Sequence, residues 1–531
     1  HWPNDSIVKG LKFRFAFSVH GYEYLRGTGY PLPLYNTIMR QIQDFKIDFG
    51  IFEDVLQLLR FKVEAMDPTD KFCVLSYDEM QISKQEDYDK NLGKFVGCAT
   101  LGNNLDNLGE KVYVVVIRGI KNRWKQIIAC HVTCKEAIDP QLLQDFILNC
   151  IRSLESCGLY VLALSSDLDS RNRSLWSSLK IHASRHGIRC NSFSVNDHEI
   201  FAMPDPCHLL KNLKAAMYRQ ILYLQLETLP TNVVNGAYVK TLWKYEIMNG
   251  LEKRLLHHLR QEDIEPTNFD KMNVGAAVRF FSSKTSSALK TAVENDILPR
   301  EALTTAHFFL VIYEWFSIMA SKVRKTSITS RNCDKKYIFL HTIIDIFQNT
   351  VFGDGWKPLN YGFVIATLTF CDIAEFLMKN GYDFVLGHRF TQDVTENIFS
   401  QVRHKQGSMP TALQALRAIR LISVSQFASE IKRASYVNDS DEFLLDFCQE
   451  KRNVKRKMLS AYNNKSLETL VVNATSSLVD EFQVQTFSLN DCSHIMTSYD
   501  TNSMFYIAGS TTNAVVKHIC SKCIEFLSSK N

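Results

Sequence analysis

At 531 residues the chain is too long for one compact domain, and a prior of roughly 150 residues per domain suggests three or four. Hydrophobic residues make up 46% and charged residues 22%, as in an ordinary soluble protein, and no run approaches the roughly 18 consecutive apolar residues of a membrane span, so no membrane partner is expected. Lysine and arginine outnumber aspartate and glutamate by 61 to 56, a formal charge of +5, which admits a polyanionic partner without requiring one. The 14 cysteines are scattered, without an even-spaced framework or a secretory leader, which predicts reduced thiols in a cytosolic or nuclear compartment. Because it starts at His1, the chain reads as an internal segment of something longer.

Residues 1–66 predict helices, since apolar positions recur at three and four in "IVKGLKFRFAF" and "LYNTIMRQIQDF" around the turn-rich "RGTGYPLPL". Such a segment is compatible with a DNA-binding helix-turn-helix and equally with a helical cap on the next domain. From Phe72 the texture changes to three short β-branched strands, "FCVLSY", "KVYVVVIRGI" and "KQIIACHVTC", an antiparallel meander. A helix from about Pro140 to Cys157, the strand "LYVLALSS", a helix around "NRSLWSSLKI", a strand "IRCNSFSV" and a helix from Pro206 follow. This order gives an α/β, RNase H-like catalytic domain whose first part covers 67–221.

A mostly helical insertion is predicted over 222–385, with "NVGAAVRFFSSKTSSALKTAV", "LTTAHFFLVIYEWFSIMASKV" and "KKYIFLHTIIDIFQNTVF" each apolar at helical spacing. The last helices of the first domain resume over 386–435, starting with "TQDVTENIFSQVRHK". Polar sequence over 436–531 leads to a C-terminal region ending in "HICSKC".

The chemistry lies in carboxylates. Asp78 is expected at the end of the first strand, and Asp167 closes "YVLALSSD" 89 residues later. If the two strands are neighbours, both side chains open onto one sheet edge and offer hard oxygen ligands for Mg²⁺ or Mn²⁺. Glu396, on the helix that resumes the fold, supplies a third carboxylate, with Asp393 one turn before it on the same face. Two divalent ions about 3.5–4 Å apart, held by Asp78, Asp167 and Glu396, would serve phosphodiester cleavage and transfer. The competing reading of each acid is a turn residue or helix cap. Glu79 should face the opposite side of the strand and is left out of the triad.

At these residues the chain resembles the P element transposase family and its THAP-domain relatives. The likeness runs in order through "GYEYLRGTGYPLP", "VLSYDEM", "VVVIRGIKNRWKQ", "SSDLDSRNRSLW", "PDPCHLLKNL", "FTQDVTENIFSQVR" and "YIAGSTTNAVVKHICSKC". It implies an RNase H-like domain interrupted by a nucleotide-binding insertion, acting on double-stranded DNA, both transposon ends and target, as a homo-oligomer in the nucleus. The family's three catalytic acids fall on Asp78, Asp167 and Glu396. Its GTP site falls on Val274, Phe316 and Asp393, but the lysine before the valine is Asn273 here, and the aspartate and asparagine after the phenylalanine are Ser317 and Ala320. Each such replacement removes a charge-assisted hydrogen bond of roughly 1.5–3 kcal/mol, so GTP is not expected to bind tightly.

DNA contacts are predicted at Arg118, Lys121, Arg123 and Lys125, which surround a strand turn with Trp124 interleaved for base stacking. A solvated hairpin is the plainer alternative. Arg403 and Lys405, continuing the helix of Glu396, and His208 and Lys211, in "DPCHLLK", are further candidates for phosphate contact. Cys207 reads as a core thiol, and Cys520 and Cys523, with Cys492 and His494 upstream, have zinc-ligand types in a weak pattern. The alternative to an active enzyme is a domesticated DNA-binding protein that keeps the fold without the chemistry.

Overall fold

The β-branched run Lys111–Gly119 (β3) is buried from Val112 through Ile117, as suits a strand covered on both faces. The computed structural model describes residues 19–425, apart from 38–46, 90–92, 136–137, 188, 220, 225–228, 251–253, 268–272 and 354, with scattered positions before 19 and the pair Glu442–Phe443. All of these lie in the first of two compact units, His1–Asp446. The C-terminal cysteines and His494 lie outside the described residues.

The main sheet holds Gly50–Ile51 (β1), Phe72–Gln81 (β2), β3, Trp124–Thr133 (β4), Tyr160–Ser166 (β5), Ser192–Val195 (β6), His198–Pro204 (β7) and Glu442–Phe443 (β8). Their spatial order is β1-β4-β3-β2-β5-β7-β6, with β8 also on β4. β2, β3 and β4 form the expected antiparallel meander; β5 then lies parallel to β2, and β7 parallel to β5. This is the RNase H-like arrangement. Sequence reading passes over β7, because "HEIFAMP" is too short and mixed to show a period.

Two boundaries move. The first segment is not wholly a separate helical unit: β1 pairs with Cys130 and Ala129 of β4, and helix Glu53–Glu64 (α2) buries Val55, Leu56, Leu59 and Val63. Ahead of them, Val19–Gly27 forms α1. Second, β2 runs on to Gln81, so Asp78 lies inside the strand opposite Val114 and not at its end.

Pro140–Ser156 (α3) starts on an Asp139 cap that accepts from the Gln141 N–H, with Pro140 in the first turn. Its apolar face (Leu143, Phe146, Ile147, Cys150, Ile151, Leu154) packs on β5 and on Ser170–Ser178 (α4). Pro206–Arg219 (α5) leaves the sheet after β7.

Beyond it the insertion contains Ala237–Met248 (α6), Gln261–Ile264 (α7), Val274–Phe280 (α8), Ser283–Glu294 (α9), Ala302–Met319 (α10), Cys333–Asn349 (α11) and Pro358–Lys379 (α12). The expected single helix over 273–293 is two, because the Ser282 side chain caps α9 by accepting from Thr285 N–H. The core here is aromatic: Phe347 stacks on Phe363 with centroids 3.8 Å apart, and Trp315 lies 4.4 Å from Phe363. α10 and α12 are long and apolar enough to cross a membrane, but most of each is buried within the protein. α12 rests on the sheet, where Thr369 Oγ1 donates to the Ala202 carbonyl at 2.7 Å. Asp393–Gln406 (α13) and Ala412–Ser425 (α14) then return to the sheet domain.

Candidate active site

β2 and β5 are parallel neighbours, and their register sets Ser76 against Ser165. Two residues further on come Asp78 and Asp167, which therefore emerge at the same level. The third acid is held there by the residue before α13: Gln392 donates its side-chain amide to the Tyr77 carbonyl at 2.8 Å, and its N–H to Asp205 Oδ1 at 3.1 Å. Glu396 follows one turn later and is half-buried, as are Asp78 and Asp167.

The three acids act on one another. Burial first, then the Glu396 and Asp167 charges, push the Asp78 carboxyl well above its ordinary range, against the pull of His208 and the Glu79 N–H. Asp167 Oδ1 accepts from Asn172 Nδ2 at 2.7 Å and from Asp169 N–H at 3.2 Å, which fixes its rotamer. Glu79 faces away, as expected, and is held by Lys111 at 2.7 Å and Arg171 at 2.5 Å.

His208 completes the edge. Its Nε2 lies 4.0 Å from Glu396 Oε1, while Nδ1 is 2.6 Å from Asp205 Oδ2. Burial, the largest influence, would lower the imidazole, as would the Lys211 charge, but the Asp205 hydrogen bond together with the Asp205 and Asp167 charges outweighs them, and the net shift is upward. Burial would likewise raise Asp205, yet the hydrogen bond and charge of His208 and the Gln392 N–H hold it below its usual range. Asp205 thus caps α5, aims the imidazole at Glu396 and fastens the entry to α13. Sequence reading could have found the Asp-to-His spacing of three at a helix start; Asn172 and Gln392 carry no such signal.

Three carboxylates, two of whose charges raise the third, fit a divalent cation, which would remove the repulsion and accept hard oxygen donors. Among the described residues no three acidic, histidine or cysteine side chains are already closed on one point, so the fit is one of donor chemistry and charge.

The nucleotide residues do not come together. Phe316, Ser317 and Ala320 line a cavity of about 220 Å³ with Leu210, Val278, Phe281 and Tyr313, a wall with no charged side chain among the described residues. Val274 is buried, and Asn273 spends its side chain capping α8 through Ala276 N–H. Asp393 faces Cys207, whose Sγ is 3.9 Å away, and burial and Asp205 raise it to about 6. These residues do not fit a nucleoside triphosphate.

The DNA contacts divide as well. Arg118 is 2% exposed and donates to the His388 carbonyl at 2.8 Å, Lys125 is 0% exposed, and Trp124 is buried, so none of these can reach a phosphate or a base. They turn inward because the β3–β4 turn packs under the returning segment: Arg389 donates to the Ile120 and Asn122 carbonyls there. Lys121 and Arg123 are exposed, although Lys121 bonds Thr69 Oγ1 at 2.7 Å. Arg403 is exposed, Lys405 and His208 half-buried, and Lys211 buried at the wall of a second cavity.

A model for the TNP-like RNase H N-terminal domain matches residues 47–180, which include Asp78 and Asp167. The transposable element P transposase of Drosophila melanogaster is 24% identical over 450 residues, 82% of this chain and 56% of that protein. The human DNA transposase THAP9 is 23% identical over 286 residues, 51% of this chain and 30% of that protein. This chain thus spans about half the length of the fly relative and about a third of the human one. A chain of the Drosophila P element transposase strand transfer complex superposes with a TM-score of 0.67 at 24% identity, over 82% of this chain and 93% of that one. The acid-bearing sheet is therefore an RNase H-like domain, and the chain is a homologue of P element transposase.

Proposed function

We propose that this chain is the catalytic body of a DNA transposase, which cuts DNA at transposon ends and joins them to target DNA. The observation that carries it is the shared level of Asp78 and Asp167 beyond the Ser76–Ser165 pair, with Glu396 anchored beside them through Gln392. Divalent ions bound there would activate a water or a 3′-hydroxyl and stabilise the leaving oxygen of an in-line displacement. Mg²⁺ or Mn²⁺, as two ions, suits the all-carboxylate donor set.

The chain's own residues supply ligands and order. Asn172 holds Asp167 in one rotamer, and Asp205 holds His208 with its outer nitrogen toward Glu396. A protonated His208 would offer an N–H to a phosphate oxygen arriving beside that acid. Arg403 lies seven residues after Glu396, on the same face of α13 and about 10 Å further along it, where a neighbouring phosphate would pass. Double-stranded DNA, a homo-oligomer and a nuclear location follow from the transposase reading. GTP has no part in it, since no cation among the described residues lines the cavity at Phe316.

The test is strand cleavage and transfer on the element's own terminal sequences in Mg²⁺ or Mn²⁺. Asp78→Ala, Asp167→Ala and Glu396→Ala are each expected to lower cleavage on the order of 10³-fold, the several kcal/mol that metal-held charge contributes, while leaving DNA binding in place. Retained cleavage in any of the three would end the proposal, and added GTP should leave the rate unchanged. The altered nucleotide cavity favours one other reading, a domesticated DNA-binding protein, which would bind DNA and break no strand in either metal.

A further inference from the structure

The backbone ladder between β2 and β5 stops short of the acids. Its last pair is Ser76 with Ser165, while β2 from Tyr77 to Gln81 continues along β3. Asp78 and Asp167 lie two residues past that pair, so the ladder of their own two strands does not set the gap between them. Neighbouring strands are rotated against each other by roughly 20–25°, and an end without ladder bonds splays unless side chains hold it.

Helix α4 supplies the hold. Its first turn sends two adjacent side chains to the two strands: Asn172 donates to Asp167 Oδ1 at 2.7 Å, and Arg171 Nη1 donates to Glu79 Oε1 at 2.5 Å, beside Asp78 on β2. Arg171 Nη2 reaches further and donates to the Cys134 carbonyl at 3.1 Å, just past the end of β4. Glu79 in turn takes Lys111 Nζ at 2.7 Å from β3 and Thr133 Oγ1 at 3.0 Å from β4. One guanidinium therefore joins the Asp167 arm to the ends of β2, β3 and β4. The Glu79 N–H donates to Asp78 Oδ1 at 2.7 Å, so a shift of Glu79 is passed to the acid beside it.

An ion pair that only stabilised the fold would not need this shape. Lys111 meets Glu79 Oε2 and Thr133 meets Oε1, so the meander itself answers both oxygens before Arg171 is counted. What Arg171 adds is the connection to the Asp167 side of the sheet. Its side chain is 17% exposed and that of Glu79 11%, which leaves little water to weaken the contact. Two bonds from one planar fork fix direction as well as distance.

Resting on the transposase reading above, we propose that Arg171 is a positioning residue for metal capture: its fork, anchored on Glu79 and the Cys134 carbonyl, holds the Asp167 arm at the separation from Asp78 that a shared divalent ion requires. Without the fork the strand ends part, and the two carboxylates remain but no longer meet around one cation.

The test uses the whole chain without DNA and counts bound Mn²⁺ by the loss of the free ion's paramagnetic resonance signal. The binding at issue is the part that Asp78→Ala removes. Arg171→Met, confirmed as folded by its thermal melt, should weaken that binding about tenfold or more, the usual effect of removing a partner that orients a metal ligand. Arg171→Lys keeps the charge but cannot hold Glu79 and Cys134 at once. It should bind nearly as weakly, and it takes the place of Arg171→Met if that variant does not fold. In cleavage, both variants should need about tenfold more Mn²⁺ to reach half the maximal rate, and excess metal should restore most of that rate. Wild-type Mn²⁺ affinity in either folded variant would overturn the proposal, and so would a lowered maximal rate with an unchanged metal requirement, the mark of a merely structural role. A wild-type chain that holds Mn²⁺ through Asp78 but cuts no strand would end the transposase reading alone, and the bridge would then stand or fall on affinity. No Mn²⁺ binding by the wild type would overturn both.

Discussion

The acidic sheet edge and the helical insertion both bury carboxylates, and they treat them in opposite ways. In the insertion, Asp263 and Glu246, the two acids buried most deeply among the described residues, are answered by their own neighbours. Asp263 is fully buried yet receives Arg279 Nη2 at 2.6 Å, Arg279 Nε at 2.8 Å and the Arg260 N–H at 3.0 Å. Glu246 takes the Leu255 N–H at 2.6 Å and the Leu256 N–H beside it. At the sheet edge, Asp78, Asp167 and Glu396 face one another and raise the Asp78 carboxyl. Acids that satisfy local donors hold a fold together, whereas acids that repel one another await a cation.

That contrast makes the cost of each substitution differ in kind. The largest effect on stability is expected in the insertion, where Arg279→Ala leaves Asp263 buried without its guanidinium and should cost about 3 kcal/mol in a urea titration. A change below about 1 kcal/mol would mean that the insertion's acids are no better provided for than those at the edge.

Asp393 should respond with the opposite sign. Burial and Asp205 raise it from 3.8 to about 6, so the folded chain binds that proton more tightly than the unfolded chain. The stability it contributes is fully present below about pH 3.8 and is lost as pH rises through about 6. In chelator, Asp393→Asn should therefore be the more stable protein at pH 7, by up to about 3 kcal/mol, with the two curves converging toward pH 4. Parallel curves across that window would show that the edge does not strain its acids.

The smallest effect belongs to Asn172→Ala. It frees Asp167 without removing a ligand, so cleavage should fall about tenfold, the worth of one hydrogen bond to a charged group, while the melting temperature barely moves. A drop as deep as that of Asp167→Ala would make Asn172 more than a positioning residue.

The sequence carried the strand order of the meander and the parallel β5, because β-branched runs bounded by turns announce themselves. The positions of Asp78, Asp167 and Glu396 were legible too, but an acid after a strand or one turn into a helix is as often a turn residue or cap, and it was the family resemblance that singled out these three. The sequence could not carry the fates of Arg118, Lys125 and Trp124. Their spacing matches a basic, aromatic turn, and only the docking of the His388–Arg389 segment, some 270 residues away, turns them inward. Asp205 was legible as a helix cap, but its bond to Gln392 was not, because nothing local links positions 187 residues apart.

That last bond has a consequence for how such a chain can change over time. A single aspartate ties the point where the chain departs from the sheet to the point where it comes back, and Gln392 then pins the returning end to Tyr77. The helices between α5 and α12 can lengthen, shrink or be exchanged without dragging Glu396 out of line, since the anchor sits outside them. The insertion is thereby free to drift while the acidic edge keeps its alignment.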